Sequence, residues 1–445
     1  MLTVVIFLFV LGILVFIHEL GHFLLAKRCG VRVETFSLGF GPRLLGWTKG
    51  ETDYRVSAIP LGGYVKMTGE DPADEEAQQQ DSFAKKPVGA RMQIVLAGPL
   101  MNLILPMLLM PLVFMIGIEQ PSYLKMPAVI GWVEEDSPAE KAGLQIGDQI
   151  LKIQNKEIPD WEKARITFLL NPRNQLSIEI LRNGEKQQIE LTPEFMGIGG
   201  YAGIRHEMPP IIGDISPDMP AETAGIQPDD RILSINQQPI RHWLQMATII
   251  RAHPEEPLEC VIQRGQEHFT VIVTPVRDEK KDIGLLGIMA PPEEMDFIQH
   301  GFIKSIETGF QIIGETIYQT FIVLGKLLSG ALSMKTLGGP VKIAEMTGEA
   351  ARIGLSSLLY FVAFLSLQLG ILNLLPIPAL DGGYVMFLSL EAILRRPVNA
   401  RTREIAQQIG FTLLIFFIFV ITYNDIMNLI PQNTKDYIKG VFDFF

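Results

Sequence analysis

Five consecutive residues, His18-Glu19-Leu20-Gly21-His22, carry the densest chemistry in the chain. On a helix, His18 and His22 stand four positions apart, one turn along the same face. Two imidazoles so spaced can hold one tetrahedral zinc, which leaves the glutamate between them free to take a proton from water. Two histidines and a glutamate inside an apolar helix cost on the order of several kcal/mol unless the protein interior partners them. The plain alternative is a polar cluster at a helix end, snorkelling to lipid headgroups. Phe23-Leu24-Leu25-Ala26 carries the apolar run past the motif and argues against that. A zinc held by two histidines needs a third ligand, and Asp381 is the candidate. It is the first acid after the long uncharged stretch that begins at Ile353. Pro376 and Pro378, just before it, would break a helix and open its backbone towards a cavity. The alternative for Asp381 is a turn former in Leu-Asp-Gly-Gly.

These residues must be positioned by membrane helices. Hydrophobic residues make up 48% of the 445 and are gathered into runs. Residues 1–26, 93–118, 354–382 and 408–430 each have the length and apolar character of a transmembrane helix. The first run has no basic start and no small-x-small cleavage site, so it is expected to stay in the protein as a span. Lys27, Arg28, Arg32, Arg43, Lys85, Lys86 and Arg91 follow the first span; Arg395, Arg396, Arg401 and Arg403 follow the third. The positive-inside rule puts both loops, 27–92 and 383–407, in the cytoplasm. The central insert and the tail 431–445 then lie outside. Residues 295–345 form an amphipathic region in which Ile303, Ile306, Phe310, Ile313, Ile317, Phe321, Leu324 and Leu328 recur at helical steps. Glu307, Glu315 and Lys326 interrupt it and favour a helix at the interface over a fifth span. With four spans, the first and third run the same way, and His22 and Asp381 meet at the cytoplasmic side. A fifth span would separate them. The net charge of −11 offers no basic face for nucleic acid, and two cysteines, Cys29 and Cys260, make no disulfide framework.

The insert repeats itself. Val129-Ile130-Gly131 returns as Ile211-Ile212-Gly213, and Pro138-Ala139-Glu140 as Pro220-Ala221-Glu222. At the same offset Asp148 falls on Asp230, Trp161 on Trp243 and Arg182 on Arg264. A gapless match of this kind marks a duplicated domain, here 122–204 and 205–291. Both copies resemble PDZ domains: a small-residue helix, an Ala-Gly-apolar turn, then a strand of the form Asp-x-Ile-Leu-x-Ile. The resemblance implies a groove that takes an extended peptide by strand addition, often by its C-terminal carboxylate. Ala202-Gly203-Ile204 and Leu286-Gly287-Ile288 look like the carboxylate loop, or else serve as plain tight turns. Whether each closes the copy before it is open at this point.

HELGH in the first span, Phe36-Ser37-Leu38-Gly39-Phe40-Gly41-Pro42 after it, Ala97-Gly98-Pro99 with Asn102 in the second, and the run from Asn373 to Gly383 resemble the site-2 protease family over essentially the whole chain. The resemblance implies a polytopic α-helical membrane protein of the bacterial inner (cytoplasmic) membrane. It has four transmembrane helices, two inserted periplasmic PDZ domains and a membrane-associated β-hairpin region. It implies Zn2+ held by His18, His22 and Asp381, with Glu19 as general base. Asn373 would hold the substrate backbone near the metal, or else make a helix-packing hydrogen bond. The implied substrates are membrane-spanning proteins such as anti-sigma factors, with remnant signal peptides as another class. Tyr54 to Ile59, a turn at 60–63 and Tyr64 to Met67 read as the hairpin. Its free edge could hold a substrate in extended form, or the hairpin could be purely structural. The acidic stretch 70–81 after it reads as a solvated loop. Two rival classes, a membrane scaffold presenting PDZ domains and a metal transporter, both leave Glu19 without a task.

Overall fold

A computed structural model describes residues 2–70, 78–196, 199–278, 281–332 and 338–429; most of the acidic stretch 70–81 and all of the tail 431–445 lie outside the described residues. In chain order the helices are α1 (Leu2–Arg28), α2 (Val88–Ile116), α3 (Pro138–Lys141), α4 (Trp161–Leu170), α5 (Pro220–Thr223), α6 (Trp243–Ala252), α7 (Phe302–Leu328), α8 (Pro340–Ile353), α9 (Leu355–Asn373), α10 (Asp381–Leu394) and α11 (Ala400–Leu429). The chain divides into two compact units, Gln120–Asp296 and the remainder on either side of it.

In the flanking unit, α1, α2, α9 and α11 are the helices long and apolar enough to cross a membrane among the described residues. In lipid a helix satisfies every backbone group internally, which is why uncharged runs of this length fold this way. Helix α2 is the hub. Val10 and Leu14 of α1 meet Val362 of α9 with Leu105 and Leu109 of α2 among them. Met110 of α2 packs with Ile313 of α7 and with Ala363, Leu367 and Ile371 of α9. Helix α7 buries Ser305, Gly309, Ile313 and Thr320 and leaves Phe302, Ile303, Phe321 and Leu328 exposed. Among its described residues the amphipathic region holds a short strand, Met295–Ile298, then α7 and the start of α8. Asp425, buried on α11, accepts the backbone N–H groups of Gly339 and Lys342 at 3.2 and 3.0 Å and caps α8 from a neighbouring helix.

Two expectations need correction. The third span stops at Asn373 rather than running to residue 382. Pro376 and Pro378 lack N–H donors, so the chain turns through bonds from Ile377 N to Leu375 O and from Leu380 N to Ile377 O. Asp381 then opens a new helix, α10, inside the stretch read as the loop 383–407. The hairpin is also built differently. Strands β1 (Val33–Lys49) and β2 (Thr52–Met67) turn at residues 50–51, not at 60–63. Residues 35–38 of β1 pair twice, with 63–66 on one side and with 53–56 on the other. The segment 33–38 therefore inserts between the two runs expected to pair with each other. Phe36 explains the insertion: it is buried against Phe16 and Phe23 of α1, with ring centroids 5.7 and 5.3 Å away.

In the inserted unit the two copies fold alike. Each has a four-stranded sheet whose order repeats: 156–157, 149–153, 176–182 and 185–191 in the first, 238–239, 231–235, 258–264 and 267–273 in the second. Each sheet packs its apolar face on α4 or α6. Asp148 and Asp230 are buried and each takes a bidentate bond from its arginine, Arg182 or Arg264, at 2.7–2.8 Å. The open question of closure is answered by pairing. Ile204 pairs with Val133 and Ile288 with Ile215, so each trailing segment closes its own copy.

Candidate metal centre

Helices α1 and α2 touch where both carry glycine. A Cβ at Gly21 would come 2.3 Å from the Ala97 carbonyl oxygen, and one at Gly98 would come 2.2 Å from Nε2 of His22. Only small residues let the two backbones approach this closely. The contact lays the His22 ring along α2, where Nδ1 lies 2.9 Å from the Ile94 carbonyl oxygen. A carbonyl only accepts, so Nδ1 carries the proton and Nε2 keeps its lone pair. His18, one turn earlier, has Nδ1 3.3 Å from the Asn102 amide two turns further along α2.

Three atoms converge in front of these rings. The two Nε2 atoms are 3.2 Å apart, and Oδ2 of Asp381 lies 3.1 Å from that of His18 and 3.5 Å from that of His22. Among the described residues His18, His22 and Asp381 form a group able to hold a metal ion. With zinc bonds of about 2.0–2.1 Å, neighbouring ligands of a tetrahedron stand about 3.3 Å apart, so the three donors fit that metal as they are. Asp381 reaches them as the first residue of α10. That helix is held at its far end by Arg91 at the start of α2, which makes a bidentate pair with Glu391 at 2.5 and 3.2 Å.

Glu19 sits on the turn between the histidines. Its carboxylate lies near the Val65 backbone N–H, and a Cβ at Gly63 would lie 3.2 Å from its Cγ. The strand run 63–67 therefore passes directly beside it. Asn373 is half-buried at the last turn of α9, eight residues before Asp381. Sequence reading named His18, Glu19, His22, Asp381 and Asn373 for this region but gave no task to Asn102, Ile94 or Val65. Asn102 had a signal, an amide in an otherwise apolar span; the other two act through backbone atoms, which residue type does not reveal.

The chain matches the model of Peptidase family M50 over residues 6–417. It is 32% identical over 450 residues to a putative zinc metalloprotease of Neisseria meningitidis, covering 96% of this chain and 99% of that one. It is 33% identical to the regulator of sigma-E protease of Salmonella typhimurium and 32% to that of Escherichia coli, covering 95% of this chain and 98% of each relative. Among solved structures, the PDZ domain of an SdrC-like protein from Listeria monocytogenes covers 19% of this chain at 14% identity and a TM-score of 0.17. Matched along nearly its whole length, the chain belongs to peptidase family M50, the site-2 proteases, and is a zinc metalloprotease of the membrane.

Proposed function

We propose that this protease is an intramembrane endopeptidase in which His18, His22 and Asp381 hold zinc and Glu19 is the general base. The observation that carries the reading is the set of three ligand atoms, brought from two helices to within 3.1–3.5 Å of one another. Zinc held there would polarise the scissile carbonyl and make water acidic enough to ionise near neutral pH. Glu19 would take the proton from a water whose oxygen bonds the scissile carbonyl carbon, and would return it to the amine nitrogen as the C–N bond breaks.

The substrates proposed are transmembrane segments of membrane proteins. A helix must open before its amides can reach the metal, and the edge strand 63–67 beside Glu19 supports capture by strand addition. The exposed apolar residues Leu44, Leu45 and Trp47 support lipid contact by the hairpin. Asn373 would hold the opened substrate backbone. Names of the relatives support anti-sigma factors of the sigma-E type as substrates. The two copies in the insert are proposed to be periplasmic PDZ domains of an inner-membrane protein that filter or regulate access. The second supports this with a groove of about 420 Å³ lined by Met219, Met246, Ile250, Arg251 and Leu286 and floored at Gly287. It suits an apolar peptide end with a nearby negative charge.

The deciding experiment pairs metal analysis of purified protein with cleavage of a transmembrane reporter. Wild type should hold one zinc per chain and cut. Glu19→Gln should hold zinc and cut at least about 100-fold more slowly, the scale of a lost general base. Equal cleavage by the two would sink the assignment of Glu19.

A further inference from the structure

Asn102 is nearly fully buried in the apolar interior, 1% exposed, and its side chain is half unsatisfied. Its Nδ2 faces Nδ1 of His18 at 3.3 Å, while Oδ1 has no hydrogen-bond partner among the described residues. A buried amide oxygen without a donor is costly, and such an orphan calls for an explanation. The chemistry of His18 supplies one. Its Nε2 is the atom that faces Asp381 at 3.1 Å and the His22 Nε2 at 3.2 Å, so Nε2 is the ligand atom. A neutral imidazole that ligates through Nε2 carries its proton on Nδ1. Two N–H donors would then face each other at Asn102. A half-turn of the amide removes this clash of donors and presents Oδ1 to Nδ1–H, leaving the NH2 rather than the oxygen as the group without a partner among the described residues.

We propose that Asn102 is the positioning residue for His18: its side-chain oxygen accepts the Nδ1–H and so fixes Nε2 as the free ligand atom. The proposal rests on the reading of His18, His22 and Asp381 as zinc ligands. It gives the two histidines matched supports on one face of α2, a backbone carbonyl (Ile94) for His22 and a side-chain carbonyl (Asn102) for His18. The support is itself anchored. Ser366 of α9 donates its hydroxyl to the Asn102 backbone carbonyl at 2.8 Å, locking α2 to the helix that leads to Asp381. That bond uses the backbone and survives substitution of the side chain.

The test uses the full chain in detergent and reads zinc affinity by competition with a chromophoric chelator. A second readout is the visible spectrum of the cobalt-loaded protein. Asn102→Asp keeps the acceptor and removes the NH2; it should bind zinc within about threefold of wild type or tighter, with an unchanged cobalt spectrum. Asn102→Leu removes the acceptor and should bind about 10–100-fold more weakly, the usual loss for an outer support of a metal ligand. Equal affinity of wild type and Asn102→Leu would overturn the proposal. So would a tenfold loss in Asn102→Asp, which decides the matter alone if the leucine variant fails to fold. A folded wild type that binds no zinc would overturn the ligand reading and this proposal with it, an outcome distinct from a zinc-loaded wild type matched by the leucine variant.

Discussion

A methyl group added at Gly98 would lie 2.2 Å from Nε2 of His22, inside the space of a ligand atom. Either the ring leaves the Ile94 carbonyl or α1 backs away from α2, and both would move His22 Nε2 away from the other two proposed zinc ligands. Gly98→Ala is therefore expected to bind zinc at least about tenfold more weakly. Gly12 of α1 has nothing within 4 Å of its would-be Cβ, so Gly12→Ala is the matched control and should bind as wild type does. Chelator competition on both variants checks this; unchanged affinity in Gly98→Ala would contradict the packing. The same geometry explains what could be read from residue types. His18, His22 and Asp381 declare themselves because imidazole and carboxylate in an apolar run have few other uses. Asn102, Ile94 and Val65 do not, because their roles depend on which face of α2 and which strand edge meet the motif.

At the scale of elements, α10 carries Asp381, Tyr384, Leu388 and Glu391 at helical spacing, the ligand at one end and the Arg91 pair at the other. The pair is mostly buried, with side-chain exposures of 13% and 17%. Removing one partner strands the other, a cost of about 3–5 kcal/mol for a fully buried pair and, with this exposure, about 1–3 kcal/mol here. Glu391→Gln should lower both thermal stability and zinc affinity, and the reversed pair Arg91→Glu/Glu391→Arg should recover part of each. A second element effect is pH-dependent. His242 caps α6, accepting the Leu244 N–H at Nδ1 and reaching the His206 carbonyl with Nε2 at 3.1 Å, its ring stacked on Trp132. Burial, joined by nearby His206 and Arg205, holds its pKa below the usual 6.5 despite the His206 carbonyl bond and Glu207. The folded state thus prefers the neutral ring. Its contribution is complete above about pH 6.5 and is lost as pH falls towards the depressed folded value. Lowering pH from 7.5 to 5 should cost the wild type about 2–4 °C more in Tm than His242→Asn, which keeps a capping side chain and does not titrate. Elements were easier to foresee than their pairing. The spans and the duplicated copies announce themselves by length and repetition, whereas the register of β1 on β2 is set by Phe36 docking on α1, a contact far away in sequence.

For the molecule as a whole, the sidedness of the membrane arrangement is the property on which the proposed function turns. Basic residues gather in the segments after the first and third spans, and the positive-inside rule assigns those segments to the cytoplasm. On the proposed orientation the inserted copies would face outward and the ligand end of α1 inward, so that a substrate would be screened on one side and cut towards the other. Cysteine labelling tests this cleanly, because the native thiols interfere little. Cys260 is buried at 2% exposure and burial pushes its thiol up to about 11, so it is both hidden and un-ionised. Cys29 is half-buried and is replaced by serine. In that background Glu185→Cys, exposed at the start of the strand 185–191 of the first copy, should react with a membrane-impermeant maleimide on intact spheroplasts. Arg396→Cys, exposed just beyond α10, should react only after the membrane is permeabilised. The reverse pattern would invert the protein, and labelling of both sites in intact spheroplasts would require an even number of crossings between them. With α7 at the interface, one span, α9, lies between Glu185 and Arg396, and one crossing is what sets them on opposite faces.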